Sequence, residues 1–314
     1  MAQSTAAARV AFLIGDATSA AGRLGAATNH HLASGGRGWR SRLAVDCAAI
    51  LGVAWQDAAA LAAACELVHQ ASIVHDDVQD NTALRRGRPS VVARYGAATA
   101  ICVGDHMLTA AFGVLAGLPN APGLIRLFTT RVSEMVAGQA DEFSPRLWPD
   151  MTLEQYRGMA GGKAGAAVTL PIEGAALLSG MPELDVLQAN GAGRALGMAY
   201  QASDDVVDIE ADLRRGALNG VLAHALDSAS IAGRAELLVS LEHGRTGDLG
   251  HDEARRVAAQ LRPAAHELTA WACDLLTGLD REMARHRLGP VLMAAAAELR
   301  SRLAATASVQ LDAA

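Results

Sequence analysis

Apolar residues recur at helical spacing along most of the chain, and glycines and prolines punctuate them. The first such run covers about 5–33 and ends before Ser34-Gly35-Gly36. Others cover about 39–52, 56–80 and 91–117, the last stopping at Leu118-Pro119-Asn120. Helices are further predicted over 122–143, 152–160, 163–180 and 183–210. The stretch LRRGRPS (84–90) reads as a loop, because Gly87 and Pro89 fall close together. Beyond 211 the pattern loosens, with breaks near Gly216, Gly220, Gly244 to Gly250 and Pro263. Helical periodicity returns over about 251–303, and the tail to Ala314 is expected to fray. No sustained alternation of β-branched and polar residues marks a sheet, and no repeat of solenoid length is present. The expectation is an all-α fold in one domain over 1–314.

Composition sharpens that reading. The 314 residues are 51% hydrophobic and only 4% aromatic, ample for a core built from close-packed, alanine-rich helices. A net charge of −6 argues against bulk electrostatic binding to nucleic acid. Cys47, Cys65, Cys102 and Cys273 are scattered and form no CxxC pair, so neither a disulfide framework nor a zinc site is signalled, and a reducing compartment is expected. The N-terminus lacks a basic leader followed by a long apolar run, and Asp46, Asp57, Asp105 and Glu173 interrupt the most apolar stretches. A secretion signal and a membrane span are therefore not expected, and a cytoplasmic location is.

One resemblance between distant parts of the chain carries chemistry. Asp76-Asp77-Val78-Gln79-Asp80 and Asp204-Asp205-Val206-Val207-Asp208 are both DDxxD, 128 residues apart, and both end an apolar helical run. On a helix the first and fifth positions share a face, so Asp76 stands over Asp80 and Asp204 over Asp208. Two like charges about 4 Å apart repel by roughly 4 kcal/mol at an effective dielectric near 20. A single copy reads as a solvated acidic helix end; two copies read better as facing carboxylate clusters that hold hard cations on a diphosphate. Magnesium suits such a site, since it takes few carboxylates and completes its shell with water and phosphate oxygens.

A diphosphate also needs cationic side chains. LRRGRP (84–89) can aim Arg85 and Arg86 at phosphate oxygens, and GGRGWRSR (35–42) brings Arg37 and Arg40 to a glycine-rich bend entering a helix. Either run alone is equally an ordinary charged surface. Of 27 basic residues 26 are arginine, and the one lysine is Lys163, in GGKAG (161–165). A chain that otherwise uses arginine throughout points to a compact ammonium being required there. Glu66, His69, Ile73 and Asp77 follow helical spacing, so His69 can share the acidic face; His75, rotated away, is given no role.

Taken in order, these elements resemble the trans-isoprenyl diphosphate synthases, the polyprenyl synthetase family, over roughly 34–226. GGRGWRSR is similar to the family's glycine-glycine-lysine-arginine motif, and ELVHQASIVHDDVQDNTALRRGRPS (66–90) to its first aspartate-rich region. GDHML (104–108), GQADEF (138–143), GGKAG and GRALGMAYQASDDVVDIEAD (193–212, with Gln201) resemble the following elements. The resemblance implies an all-helical bundle around a deep central cavity, and a homodimer. It implies that Asp76, Asp80 and Asp204 bind Mg2+, three ions with substrate present, and that Asp77, Asp205 and Asp208 complete or support that shell. Arg85 and Lys163 would contact the allylic diphosphate, with Gln201 beside it; Arg37, Arg40, His69 and Arg86 would hold isopentenyl diphosphate. The implied reaction is prenyl transfer. The allylic C–O bond ionises as charge on the departing diphosphate is neutralised, and the alkene of isopentenyl diphosphate attacks the cation in a dry cavity.

In the family the residues four and five before the first aspartate set product length, and here they are the small Ser72 and Ala71. A product of C20 or longer is expected, with Met107, Leu108 or Phe112 on the next helix as the alternative cavity floor. There are departures. Arg37 stands where lysine is usual, Gly38 where arginine is common, Ser41 where proline is usual and Ala164 where threonine is common. Ala217 replaces a lysine after the second triplet, a cation that Arg214 or Arg215 would have to supply. Two other functions share the fold: a class I terpene cyclase or diphosphate lyase, and a non-catalytic partner subunit. Both intact triplets and Arg37, Arg40 and His69 weigh against them.

Overall fold

Alanine-rich amphipathic runs become helices nearly everywhere that periodicity predicts them. The computed structural model describes residues 2–36, 38–142, 152–217 and 219–312. In chain order the helices are α1 (Ala2–Ala17), α2 (Gly22–Leu32), α3 (Trp39–Ile50), α4 (Trp55–Gln79), α5 (Val91–Tyr95), α6 (Ala97–Ala116), α7 (Ala121–Glu142) and α8 (Leu153–Ala160). A π-helical turn (Gly161–Gly165) leads into α9 (Ala166–Leu178) and α10 (Glu183–Arg215). The remainder are α11 (Gly220–Ser228), α12 (Ile231–Thr246), α13 (His251–Gln260), α14 (Arg262–Met283) and α15 (Gly289–Asp312). Among the described residues the only strands are β1 (Leu84–Arg85) and β2 (Arg88–Pro89), a minimal antiparallel hairpin pairing Leu84 with Pro89 and Arg85 with Arg88.

The backbone gathers into two compact units, Met1–Val132 with Leu170–Ala189, and Ser133–Thr169 with Asn190–Ala314. In the first, α4 is the central post and packs against α3 and α6. Leu43, Ala44, Cys47 and Ala48 of α3 and Leu61, Ala62, Leu67 and Val74 of α4 are all buried. Ala100, Val103, Met107, Ala111 and Leu115 of α6 are buried likewise. Alanine at so many contact positions lets the helices approach closely, while each buried leucine contributes about 1.5–3 kcal/mol. Arg131 closes a bidentate pair with Glu173, Nε to Oε2 at 2.7 Å and Nη2 to Oε1 at 2.8 Å, with both side chains largely buried. By length and composition α6 is apolar enough to cross a membrane, but its buried stripe is part of this core.

In the second unit α14 packs on α15 and on α11, and α11 on α8. Leu196, Leu213, Leu222, Leu268, Leu276 and Leu292 are among its fully enclosed aliphatic side chains, and Tyr156 of α8 is buried with them.

Five features differ from the sequence reading. The run over 5–33 is two helices, because the chain folds back so sharply that a Cβ at Gly25 would lie 1.8 Å from the carbonyl oxygen of Ala20. The run over 91–117 is broken at Gly96, φ +84°. The loop at 84–90 contains the hairpin, and α15 continues to Asp312 where fraying was expected. The second triplet does not end its helix: α10 runs on to Arg215.

Candidate functional site

The two DDxxD segments fold alike. In each, the first aspartate is half-buried, the second is buried and the last is exposed: Asp76, Asp77 and Asp80 in one unit, Asp204, Asp205 and Asp208 in the other. Helix geometry requires this, since the fifth position returns to the face of the first while the second turns about 100° toward the core. A carboxylate driven inward must find donors there, because an unpaired buried charge is very costly.

Asp77 finds Arg85. Its side chain has no exposed surface, and Oδ1 accepts from Arg85 Nε at 2.9 Å and from Nη2. Its Oδ2 is buried with no hydrogen-bond partner. Arg85 is presented by the hairpin, whose turn residues Arg86 (φ +53°) and Gly87 (φ +75°) are both left-handed, the combination a type I′ turn needs. The hairpin is fastened to the glycine-rich bend: Arg88 Nη1 donates to the Ala33 carbonyl at 2.8 Å and Arg86 Nη1 to Ser34 Oγ at 3.3 Å. A Cβ at Gly36 would stand 3.2 Å from the Arg86 guanidinium, a contact that a small shift of the arginine's flexible end would relieve. The two basic runs recognised separately in the sequence therefore form one structure. Asp80 is the C-cap of α4, where the helix dipole disfavours negative charge.

Arg40 Nη1 donates to His69 Nε2 at 3.1 Å, which fixes Nε2 as the acceptor. Burial, then Arg40, Arg86 and other cations nearby, hold the His69 ring well below its usual pKa, so it is neutral near pH 7. Behind it lies a relay with no counterpart in the sequence reading. His31 Nε2 donates to Gln70 Oε1 at 2.8 Å, and Gln70 Nε2 to Glu66 Oε1 at 2.6 Å. Arg40, His69, Arg85 and Arg86 thus gather in one unit with Asp76, Asp77 and Asp80. Arg37 lies outside the described residues. His75, assigned no role from sequence, lies over Gly104, where a Cβ would stand 2.2 Å from its ring, and its Nε2 is 3.4 Å from Asp105 Oδ1.

Asp205 is the hub of the second cluster. Oδ2 accepts from the Tyr156 hydroxyl at 2.5 Å and from Gly220 N at 2.6 Å, and Oδ1 accepts from Gln201 Nε2 at 2.7 Å. Burial pushes its carboxyl up to about 7, against these three bonds, each of which favours the charged form. Asn219 caps α11 by accepting from Leu222 N at 3.1 Å, and donates to the Asp205 carbonyl at 3.2 Å and Asp212 Oδ2 at 3.0 Å. Gln201, expected beside a diphosphate, is engaged with Asp205 instead. Arg215 is paired with Asp212, while Arg214 is exposed. Asp204 is paired with Arg302 of α15, a partner that the sequence reading did not find.

Lys163 sits on the π turn, a distortion that often marks functional positions. Two glycines make room for it: a Cβ at Gly138 would be 3.0 Å from Lys163 N, and one at Gly197 would be 2.4 Å from the Ala164 carbonyl. Lys163 Nζ donates to Glu142 Oε2 at 2.6 Å, with both side chains part-exposed. Arg194 buttresses the turn, donating from Nη1 to the Gly161 carbonyl at 3.1 Å and from Nη2 to Glu134 at 2.7 Å.

Of the five positions proposed to limit product length, Ala71 (2% exposed) and Met107 (0%) are sealed in the core of the first unit, while Leu108 is half-buried. Ser72 and Phe112 retain exposed surface, and Ser72 Oγ donates to the His69 carbonyl at 2.8 Å. Among the described residues no three His, Cys, Asp or Glu side chains converge closely enough to hold a metal ion unaided. The donor set is still that of a hard cation: two outward carboxylates per triplet, with no thiolate or imidazole among them.

A family profile described as polyprenyl synthetase matches residues 22–217. The chain is 38% identical over 152 residues to an all-trans-nonaprenyl-diphosphate synthase (geranyl-diphosphate specific) of Rhodobacter capsulatus, covering 48% of this chain and 46% of that protein. It is 30% identical over 234 residues to a short chain isoprenyl diphosphate synthase of Methanothermobacter thermautotrophicus, covering 69% of this chain and 71% of the relative. The chain spans about half the length of the first curated relatives it matches. Its fold superposes with a TM-score of 0.86 on a polyprenyl synthase from Caulobacter crescentus, crystallised with calcium and isoprenyl diphosphate, at 22% identity and 95% coverage of each chain.

Proposed function

The chain belongs to the polyprenyl synthetase family, and from that premise we propose that it is a prenyltransferase that joins isopentenyl diphosphate to an allylic prenyl diphosphate. The observation that carries this reading is the repeated pattern of the triplets. In each, two aspartates face outward on one helical face while the third is held inward by donors of the protein. Asp76, Asp80, Asp204 and Asp208 would hold Mg2+. Asp77 and Asp205 orient the helix faces rather than contact the ions, since Arg85 occupies the first and Tyr156, Gly220 and Gln201 the second.

When bound, Mg2+ supplies charge neutralisation for the departing diphosphate. Asp77 holds Arg85 in place, so that its remaining donors can meet allylic phosphate oxygens. Lys163, a flexible ammonium with three donors, can leave or share Glu142 to do the same. Neutral His69, Arg40 and Arg86 form a second anion-binding group suited to isopentenyl diphosphate, with Arg37 beside them in sequence. Asp76→Ala and Asp204→Ala should each lower turnover strongly.

Small, half-buried Ser72 is consistent with a product of C20 or longer. A homodimer in the cytoplasm completes the proposal. The outward stripe of α6, including Ile101, Cys102, Thr109 and Gly113, is weakly charged and suited to association, and all four cysteines are free thiols. Incubation with isopentenyl diphosphate, Mg2+ and allylic diphosphates of five to twenty carbons tests the reading. Longer prenyl diphosphates are expected. Hydrocarbons or alcohols formed without isopentenyl diphosphate would identify a cyclase or lyase, and absence of turnover would identify a non-catalytic subunit.

A further inference from the structure

The C-terminal helix brings a cation to the second triplet from 98 residues away in sequence. Arg302 Nη2 donates to Asp204 Oδ1, and the guanidinium lies over the ring of Tyr200, 4.8 Å from its centroid. Tyr200 and Asp204 stand one turn apart on α10, so ring and carboxylate together form a bracket that fits the flat, forked shape of the group. The side chains of Arg302 and Asp204 are 24% and 34% exposed, which places the pair at the edge of the protein interior rather than in open solvent. Arg302 Nη1 is buried and has no hydrogen-bond partner among the described residues. An ion pair serving stability alone would not need that orphaned donor, since leaving a buried donor unmet is costly. An oxygen of an anionic ligand beside Asp204 would satisfy it.

The neighbouring loop shows why such a cation is wanted. Ala217 stands where the resembling segment carries lysine, Arg215 is engaged by Asp212 and Arg214 is exposed. The C-terminal helix α15 supplies a cation to Asp204.

Resting on the prenyltransferase reading above, we infer that Arg302 is a positioning residue of the second triplet: it fixes Asp204 for metal–diphosphate binding and offers Nη1 to a phosphate oxygen. In that role it stands in for the absent lysine. Partners that orient a ligating carboxylate typically contribute 10–100-fold to metal affinity.

The test is calorimetric titration of the full-length protein with inorganic pyrophosphate and Mn2+, alongside thermal melting. Arg302→Met should weaken binding by roughly 10–100-fold. Arg302→Lys should recover part of the loss, because charge returns without the fork or the ring stacking. Both variants should melt alike, so a purely structural role would not separate them in the titration. In an Asp204→Asn background, Arg302→Met should have little further effect. Unchanged or tighter binding in Arg302→Met, with Asp204→Asn weakened, would overturn this inference and leave the wider reading standing. Unchanged binding in Asp204→Asn would overturn both.

Discussion

Replacing Tyr156 by phenylalanine removes one oxygen from an enclosed position and leaves the shape of the ring unchanged. Tyr156 is 1% exposed, and its hydroxyl donates to Asp205 Oδ2 at 2.5 Å. A hydrogen bond to a charged group contributes about 1.5–3 kcal/mol, against about 1 for a neutral pair. The cost should therefore depend on whether Asp205 carries its charge. Burial raises this carboxyl from 3.8 to about 7. Between those values the folded protein holds a proton that the unfolded chain releases, so wild-type stability should fall as pH climbs from about 4 to 7 and then level off. Loss of the hydroxyl should raise the folded value by a further 1–2 units or so, at about 1.36 kcal/mol per unit, and the decline should continue above pH 7. Urea unfolding in metal-free buffer at pH 5 and pH 9 reads this directly. Tyr156→Phe should lose about 1–2 kcal/mol more at pH 9 than at pH 5. Equal losses at the two pH values, or none, would refute the view that the hydroxyl supports a carboxylate.

Asp76→Ala should lower turnover at least 10²–10³-fold or so with little change in melting temperature, as steady-state kinetics and circular dichroism would show; near-normal turnover would remove Asp76 from the ion site. Ser72→Phe should shorten the product by chromatographic analysis, whereas Ala71→Phe, forced into a sealed position, should mainly cost about 1–3 kcal/mol of stability. A shortened product from Ala71→Phe at wild-type stability would place the cavity floor there instead. Gly197→Ala should displace the π turn carrying Lys163, since its methyl would meet the Ala164 carbonyl at 2.4 Å. Turnover and pyrophosphate affinity should both fall, while wild-type pyrophosphate affinity would show that the turn tolerates the shift.

Helix periodicity made most of the fold legible, because each helix buries one stripe and alanine tolerates close packing. It missed the turn between α1 and α2, where Gly22 takes φ +66° and Gly25 passes close under the Ala20 carbonyl. The triplets, the two arginine runs and Lys163 were also legible, since their chemistry resides in residue type and spacing. Partners remote in sequence were not. Tyr156, Asn219 and Arg302 are ordinary residues until folding sets them against Asp205 and Asp204. The inward turn of Asp77 and Asp205 was implicit in helix geometry, yet the motif alone did not reveal that both would be claimed by protein donors.

Turning the middle aspartate of each motif inward has a consequence for the order of events. On the proposed reading, each helix would then offer a divalent ion only two carboxylates, leaving most of its shell to water and substrate phosphate. The resting enzyme would not stockpile its metal but would acquire it together with the polyanion it is to cleave. Catalytic competence would then rise and fall with substrate supply, and free magnesium alone would leave the protein unarmed.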